Sequence, residues 1–363
     1  DMSLWRTLFR IPWHIIVLSL LLVAIGAMAL YSASEGSWQP WAGRHAMRGA
    51  FGVGVVLVMA FVDFKILHRL SYFMLIAAIA VLVALLVIGS GPNVARWISI
   101  GGVSFQPSEP AKIAIILALA RYFDSQPQDR MQSLIVYLPA IGMIAIPFLL
   151  VMKQPDLGTA LMLLLGGLSV LFAAGLPWRY VGGAVIAALV AMPVLWSQLH
   201  AYQKSRVMTF LNPESDVLGA GYQIIQSKIA LGSGGLFGKG FLMGSQSQLN
   251  YLPEKQTDFV FTMIGEEFGL VGNLFILALY LALSLSILRV SFLVRSRFSQ
   301  LTCMGLSMML FFYVFVNVAM VSGMLPVVGA PLPLISYGGT SMLTVFIGLG
   351  IVTSILIHDR QED

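Results

Sequence analysis

Charged residues are scarce in this chain. Lys, Arg, Asp and Glu make up 10% of its 363 residues, while 58% are hydrophobic. Charged residues make up about a quarter of an ordinary soluble domain, so the composition excludes a soluble globular fold. Cysteine is almost absent as well: Cys303 is the single one, which excludes an intramolecular disulfide. Because Cys303 falls inside a long apolar run, catalysis by its thiol is not expected.

Long apolar runs recur from one end of the chain to the other, and each approaches the length of about 20 helical residues that crosses a bilayer. They predict an all-α polytopic membrane protein with about ten transmembrane helices in a single membrane domain, residues 1–363. The predicted spans are 13–32, 46–62, 70–90, 110–122, 134–152, 157–174, 177–196, 259–288, 301–324 and 337–357.

The distribution of Lys and Arg predicts the orientation, because positive charge in short loops stays cytoplasmic. With the N-terminus inside, most of those in short connections lie on the cytoplasmic side, and the exceptions are Arg44, Arg48, Arg96, Lys112 and Lys153. The remaining ones lie in the long segment 197–258, which the charge rule does not govern. All 7 tryptophans fall at or beyond predicted span ends, as interfacial aromatic residues do. Both termini are therefore predicted to be cytoplasmic, and the large segment 197–258, between the seventh and eighth spans, to be external.

This external segment is predicted to be structured, since about 60 residues without secondary structure would be unusual in a compact protein. Residues 222–235 combine apolar and polar side chains at helical spacing, which predicts an amphipathic helix lying in the membrane interface. The glycine-dense sequence GLFGKG follows and carries Lys239. It is either an ordinary turn, because glycine has a permissive backbone, or a set of backbone amides that cradles an anion.

Asp258 stands where the external segment re-enters the membrane, at the outer mouth of the predicted eighth span. It is either an acid in the first helical turn, favoured by the helix dipole, or a functional carboxylate. On a helical wheel Gly265, Gly269 and Gly272 share its face, and small residues there let another helix approach closely. This arrangement predicts that the carboxylate faces a helix-lined crevice and not lipid.

Further ionisable residues are predicted at the same external face. Glu109 and Lys112 are close enough for an ion pair. The pair either only stabilises the start of its helix or keeps Lys112 charged and positioned for a phosphate. Asp156 is either a plain N-cap of the sixth span or a functional carboxylate. Arg206 either reaches lipid headgroups or clamps a diphosphate. Together these groups fit chemistry on a lipid-linked substrate that bears phosphate.

Five sequence blocks, in order along nearly the whole chain, resemble the signature segments of the SEDS family. They are WISIGGVSFQPSEPAKIA from Trp97, KQPDLGTAL from Lys153, YQIIQSKIALGSGGLFGKG from Tyr222, YLPEKQTDFVF with GEEFGLVG after it, and PLPLISYGGTS from Pro331. The sequence GSQSQLNYLPEKQTDF is similar to the corresponding sequence of the elongation-type members of the family.

The resemblance implies a peptidoglycan glycosyltransferase of the bacterial cytoplasmic membrane that polymerises lipid II during cell elongation. Its implied partners are a class B penicillin-binding protein acting as transpeptidase, other membrane proteins of the elongation complex and membrane lipids, with no nucleic acid. Position by position, Asp258 is the catalytic carboxylate, Glu109 and Lys112 are ion-paired positions beside the central cavity, and Asp156 is another polar cavity position. The family's usual His before Thr-Asp is Gln256 in this chain.

The implied reaction needs a base, because a sugar hydroxyl is too weak an acid to attack unaided. Asp258 is the predicted base for the acceptor 4-hydroxyl, and undecaprenyl diphosphate is the leaving group. Lys112, Arg206 and Lys239 are the predicted cations for the charge that develops on it, together with a divalent cation, Mg²⁺ or Mn²⁺, whose ligands are unknown. No organic cofactor is expected.

Two other functions fit the same membrane class. A lipid II flippase would need a polar path through the middle of the membrane, for which the sequence offers chiefly Glu266, Glu267 and Asn317. The two adjacent acids are interpreted as structural or gating groups, since acids at membrane depth must be protonated, paired or solvated. A scaffold that only holds a transpeptidase would leave the external group of ionisable residues without a purpose.

Overall fold

The computed structural model describes residues 4–89, 96–100, 103–216 and 218–360, and only the backbone of residues 4–6, 100 and 103. The predicted domain 1–363 therefore lies partly outside the described residues. The described helices are α1 (Leu4–Arg10), α2 (Trp13–Ala33), α3 (Ala42–Met59), α4 (Phe64–Ile88), α5 (Ser108–Asp124), α6 (Leu134–Lys153), α7 (Leu157–Ala174), α8 (Trp178–Gln198), α9 (Ala201–Leu211), α10 (Ala220–Ser233), α11 (Ser245–Gln248), α12 (Val260–Leu293), α13 (Arg297–Val321) and α14 (Gly339–His358).

Each predicted span corresponds to one helix, from α2 to α8 and from α12 to α14. Among the described residues, 8 of these helices are long and apolar enough to cross a membrane. The other two, α3 and α5, begin with charged turns that carry Arg44 and Arg48, and Glu109 and Lys112. The all-α polytopic class is thus confirmed, whereas the number of spans stays a prediction.

The helices α5 and α13 lie at the centre of the bundle. Helix α13 packs against α12, α7 and α5, and α5 also packs against α4 and α7. Most of α5 is buried, from Ser108 to Phe123, because neighbouring helices cover it on every side. Helix α3 packs against α14 and α2 on one flank. By contrast, α8 has no buried residue, so its apolar side chains are left for lipid.

The connection before α5 contains a short antiparallel hairpin of β1 (Ile98–Ile100) and β2 (Val103–Phe105). Ile98 pairs with Phe105 across the ladder. The hydroxyl of Thr340 at the start of α14 accepts a hydrogen bond from the backbone N–H of Gln106 at 3.3 Å. The hairpin is thereby fixed over the end of the bundle at which α5 and α14 begin.

The long segment between α8 and α12 is helical over much of its length, as α9, α10 and α11 show. Helix α10 coincides with the predicted amphipathic helix. Its buried residues include Ile224 and Ala230, and the Ser227 and Thr262 hydroxyl oxygens lie 2.7 Å apart. The inner face of α10 therefore packs on α12, and the predicted position in the membrane interface stays a prediction.

Helix α12 is interrupted at Gly269, whose φ of 70° and ψ of −163° are not helical. Backbone groups of the loop 235–240 replace the hydrogen bonds lost there. The N–H groups of Lys239 and Gly240 donate to the carbonyls of Glu266 and Glu267 at 3.0 and 2.9 Å, and those of Leu270 and Val271 donate to Gly235 and Leu236 at 2.9 and 3.1 Å. We call this joint of loop and helix the α12 splice.

The α12 splice also shows why glycine occupies both sides of the joint. A Cβ atom on Gly269 would lie 2.4 Å from the backbone nitrogen of Gly238, and one on Gly234 would lie 2.0 Å from the carbonyl oxygen of Gly265. No side chain fits between backbones at these separations. At Gly265 a helix does approach closely, since a Cβ there would lie 2.7 Å from the Leu231 side chain of α10, whereas at Gly269 the loop after α10 approaches instead.

Candidate active site

A cavity of about 540 Å³ opens at the end of the bundle where α5, α7 and α14 begin. Of the residues predicted from sequence, Glu109, Asp156, Arg206 and Asp258 line it. Its other lining residues are Arg96, Trp97, Gln106, Pro155, Leu157, Thr159, Glu254, Thr257, Val328, Gly329, Pro331, Tyr337, Gly338, Thr340 and Ser341. The lining is mostly polar, which suits a substrate rich in hydroxyl groups.

The backbone around Asp258 is held from two directions. The Asn317 side-chain amide, on α13, donates to the carbonyl of Asp258 at 2.9 Å and to that of Ala330 at 2.6 Å. The N–H of Tyr337 donates to the carbonyl of Gln256 at 2.8 Å. Since α12 begins only at Val260, Asp258 precedes the helix, and a helical wheel cannot give its direction. Nevertheless Asp258 lines the cavity, and its Oδ2 would lie 3.5 Å from a Cβ on Gly329, another lining residue.

The environment of Asp258 raises the pKa of its carboxyl group to about 6. Burial is the main cause, and the nearby carboxylates Glu254 and Asp156 raise the pKa further, while the Arg206 guanidinium lowers it. A carboxylate with this pKa is still largely ionised at pH 7 and is a stronger base than an ordinary aspartate.

Asp156 lies on the same wall and has two hydrogen-bonding roles. One carboxylate oxygen accepts the N–H of Thr159 at 3.2 Å and caps α7, and the other accepts the Gln106 side-chain amide at 2.7 Å. Arg96 fixes the turn before it by donating to the carbonyls of Gln154, at 2.7 Å, and Pro155. Asp156 is therefore an N-cap and a residue of the cavity wall at once.

Arg206, on α9, brings a cation to the cavity. Its Nη1 donates to the carbonyl of Val327 at 2.8 Å, which ties α9 to the segment that precedes α14. A guanidinium has five N–H donors, so this one bond leaves capacity for an anionic ligand.

Glu109 and Lys112 form an ion pair with 2.9 Å between Glu109 Oε2 and Lys112 Nζ. Glu109 also accepts from the Tyr313 hydroxyl at 3.2 Å, and Lys112 Nζ lies 4.5 Å from the centre of the Tyr313 ring. Both residues are buried, with 4% and 2% of their surface exposed. Glu109 reaches the cavity wall, whereas Lys112 stands behind it and does not line the cavity.

Lys239 is not brought to this cavity. Its Nζ lies 2.9 Å from Glu266 Oε1 and 2.6 Å from the Ser245 hydroxyl. Glu267 accepts from the Ser32 hydroxyl on α2. In the α12 splice the amides of Lys239 and Gly240 are occupied by helix carbonyls, so these two amides are not free to cradle an anion.

The family model of the FtsW, RodA and SpoVE cell cycle proteins matches residues 6–361. The chain belongs to this family, the SEDS proteins. It is 45% identical over 366 residues to the peptidoglycan glycosyltransferase MrdB of Escherichia coli, covering 99% of this chain and 96% of the relative. Like its relatives, this SEDS chain is a peptidoglycan glycosyltransferase, and it is a multi-pass protein of the bacterial inner membrane.

Two solved structures share the fold of this SEDS protein. A chain of a peptidoglycan synthase complex that coordinates polymerization and crosslinking superposes with a TM-score of 0.80 at 34% identity, covering 95% of this chain and 97% of that one. The Thermus thermophilus rod shape determining protein RodA superposes with a TM-score of 0.70 at 30% identity, covering 97% and 98%.

Several residues that line the SEDS cavity were not singled out in the sequence. Gln106 and Tyr337 stand inside two of the five family blocks, so the blocks themselves were the signal that could have found them. Glu254 stands inside a third block, YLPEKQTDFVF, and had the same signal, whereas Arg96 lies just before the first block and had none. The side chain of Gln256, which replaces the usual His, points its amide towards Glu254, at 3.5 Å from a carboxylate oxygen, and it does not line the cavity.

Proposed function

We propose that this SEDS protein polymerises lipid II with Asp258 as the general base. The observation that carries the proposal is the Asp258 carboxylate, which lines a polar cavity and has its pKa raised to about 6. General bases work best when their pKa lies near the working pH while they remain ionised.

In the proposed reaction the 4-hydroxyl of the acceptor sugar gives its proton to Asp258 while its oxygen bonds to the anomeric carbon of the donor sugar. The bond between that carbon and the diphosphate oxygen breaks, and its electron pair leaves with undecaprenyl diphosphate. Attack from the opposite side inverts the anomeric centre. One carboxylate is enough, because a diphosphate leaves without being protonated, unlike the leaving group of a glycoside hydrolase.

The predicted cations divide into different roles. Arg206 lines the cavity and stays the proposed substrate-binding cation, whereas Lys112 is paired with Glu109 and Lys239 with Glu266. Among the described residues no group of three or more His, Cys, Asp or Glu side chains is arranged to hold a metal ion. The described side chains thus form no dedicated cage of three or more such ligands, Mg²⁺ or Mn²⁺ stays a prediction, and no step above passes through it.

We further propose that the cavity opens on the outer face of the membrane and that both termini are cytoplasmic. The bias of Lys and Arg towards the opposite connections supports this orientation. The proposed partners are a class B penicillin-binding protein that crosslinks the glycan, other elongation-complex membrane proteins and membrane lipids. The similarity to a chain of a peptidoglycan synthase complex supports the first of them.

A flippase is not supported by the residues that it would use. Asn317 donates to backbone carbonyls, Glu266 is paired with Lys239, and Glu267 accepts from Ser32. Each of these polar groups has a protein partner and none lines the described cavity. These contacts support the interpretation of the two acids as structural or gating groups.

The test is polymerisation of lipid II in detergent micelles by the purified protein and by its Asp258→Asn variant. We expect the variant to bind lipid II and to lose polymerisation by a factor of roughly 10² to 10⁴, the usual contribution of a general base. Asp129→Asn, at an exposed position in another part of the chain, is the matched control and should keep its activity. Polymerisation by Asp258→Asn at the wild-type rate would refute the assignment. Formation of glycan in micelles, where lipid II has no bilayer to cross, would exclude a protein that is only a transporter.

A further inference from the structure

The Asp258 carboxylate owes its position to the backbone that carries it. Among the described residues no N–H or O–H group donates a hydrogen bond to this carboxylate, and the charges of Glu254, Asp156 and Arg206 act on it through space. Its lone pairs are thus kept for the acceptor hydroxyl. Because the side chain is short and α12 begins only at Val260, the place of the carboxylate depends on what holds the peptide groups before the helix.

Asn317 supplies one of these supports from the centre of the bundle. It lies on α13 and is fully buried, and its Nδ2 lies 2.9 Å from the Asp258 carbonyl oxygen and 2.6 Å from the Ala330 carbonyl oxygen. Two carbonyl oxygens at these distances require N–H donors, which fixes the orientation of the amide. The two N–H groups of one side chain therefore tie two backbone segments of the cavity wall together.

The second of these segments, residues 327–330, contacts the rest of the proposed machinery, and we call it the wall strip. Arg206 donates to its first carbonyl at 2.8 Å. Helix α7 packs on its middle, where a Cβ on Gly158 would lie 2.7 Å from the carbonyl oxygen of Gly329. On the cavity side, a Cβ on Gly329 would lie 3.5 Å from Asp258 Oδ2. The wall strip thus holds the cation at one end and faces the base in its middle.

Both bonds of Asn317 go to carbonyls outside the described helices, and neither goes to a neighbouring helix ladder. An amide inside a membrane bundle costs free energy unless its donors are bonded, so an apolar residue would serve better if the position only filled space. Ser307 shows the contrasting case on the same helix. Its hydroxyl donates to the Ser284 carbonyl on α12 at 2.7 Å, a bond that joins two helices and involves no residue of the cavity.

We propose that Asn317 is a positioning residue that sets the separation between the Asp258 base and the Arg206 cation. The inference rests on the proposed function and deepens it. Asn317 does not line the cavity, so it acts only through the two carbonyls that it binds. The acceptor hydroxyl, the anomeric carbon and the diphosphate must be aligned between the base and the cation, and a displacement of about 1 Å can cost a factor of about 10² in rate.

The first test separates turnover from binding in polymerisation of lipid II by the purified full chain. Asn317→Leu has a similar branched shape and no donor, and its kcat should fall by roughly tenfold to 10²-fold with KM nearly unchanged, because a displaced base affects the transition state alone. Asn317→Asp keeps the shape and offers at most one donor, so its kcat should lie between those of Asn317→Leu and the wild type. Ser307→Ala, which also removes a buried bond from α13 to a carbonyl, is the matched control and should keep its kcat.

The second test measures the Asp258 segment without turnover. A nitroxide attached to Gln256→Cys reports the mobility of this segment by electron paramagnetic resonance. Gln256 is partly exposed and does not line the cavity, and the native Cys303 is buried, so the label reaches only the introduced thiol. We expect the nitroxide to be more mobile when Asn317→Leu is added and unchanged when Ser307→Ala is added.

Wild-type kcat in the folded Asn317 variants would overturn the proposal, and Asn317→Asp decides if Asn317→Leu does not fold. An equal loss of kcat in Ser307→Ala, a raised KM at unchanged kcat, or a lowered kcat with an unchanged nitroxide would overturn it as well. The base assignment fails on a different result, wild-type polymerisation by Asp258→Asn. Loss of activity in Asp258→Asn together with full activity in both Asn317 variants would refute the positioning role alone.

Discussion

Replacing Glu109 by Gln should destabilise the protein more than replacing both members of the Glu109–Lys112 pair. The two charges are 2.9 Å apart with 4% and 2% of their surface exposed. Apart from Glu109, no described acceptor lies within hydrogen-bond distance of Lys112 Nζ. The Glu109→Gln variant therefore leaves an ammonium group buried beside the Tyr313 ring with no counter-charge.

The expected magnitude follows from this burial. Removing one partner of a buried ion pair costs about 3–5 kcal/mol, because the remaining charge is desolvated without compensation, whereas exchanging the whole pair for uncharged groups of similar volume is often neutral. We expect about this loss for Glu109→Gln and a similar one for Lys112→Met. The double variant Glu109→Gln/Lys112→Met should be more stable than either single variant.

The assay is unfolding in mixed micelles, with the free energy of unfolding determined for the four proteins of the cycle. A double variant whose loss equals the sum of the single losses to within about 0.5 kcal/mol would refute the reasoning, since independent sites add to that accuracy. Polymerisation is measured separately. The double variant is not expected to regain full activity even where it regains stability, because Glu109 also lines the cavity.

Two other predictions follow from Asp258 and from the α12 splice. Since the base must be ionised, kcat/KM should fall as the pH drops through about 6. Glu254→Gln removes a charge that raises the pKa of Asp258, so in this variant the fall of kcat/KM should occur at lower pH. A fall at the same pH in both proteins would contradict the assignment. Gly269→Ala should lower the free energy of unfolding by about 1–3 kcal/mol or more, because a Cβ would lie 2.4 Å from the nitrogen of Gly238. The control Gly142→Ala, which meets open space in α6, should be neutral or stabilising, and equal melting temperatures would argue against a strained break.

The helices could be predicted from the sequence because a bilayer restricts the chain to long apolar helices. The break at Gly269 could not. It depends on hydrogen bonds between residues 235–240 and 266–271, and a hydropathy pattern contains no information about such distant pairing. The glycines of residues 235–240 were predicted to form a turn or an anion cradle. Their density indicates an unusual backbone conformation, but it does not indicate which other part of the chain that backbone contacts.

The site was predicted in part. Glu109, Asp156, Arg206 and Asp258 were expected at one face, and they do line one cavity. Lys239 was grouped with them because it lies in the glycine-dense turn of the external segment, whereas its side chain is paired with the buried carboxylate of Glu266.

The α12 splice also decides where this protein tolerates foreign sequence. A topology map would mark the glycine-rich stretch 235–240 as a surface loop, and therefore as a natural place for an epitope or a fluorescent label. An insertion there would pull peptide groups away from a membrane helix whose own ladder cannot close without them, and lipid offers no replacement. Labels are better placed at the exposed end of the short 3₁₀ turn Pro213–Ser215, which contributes nothing to that ladder.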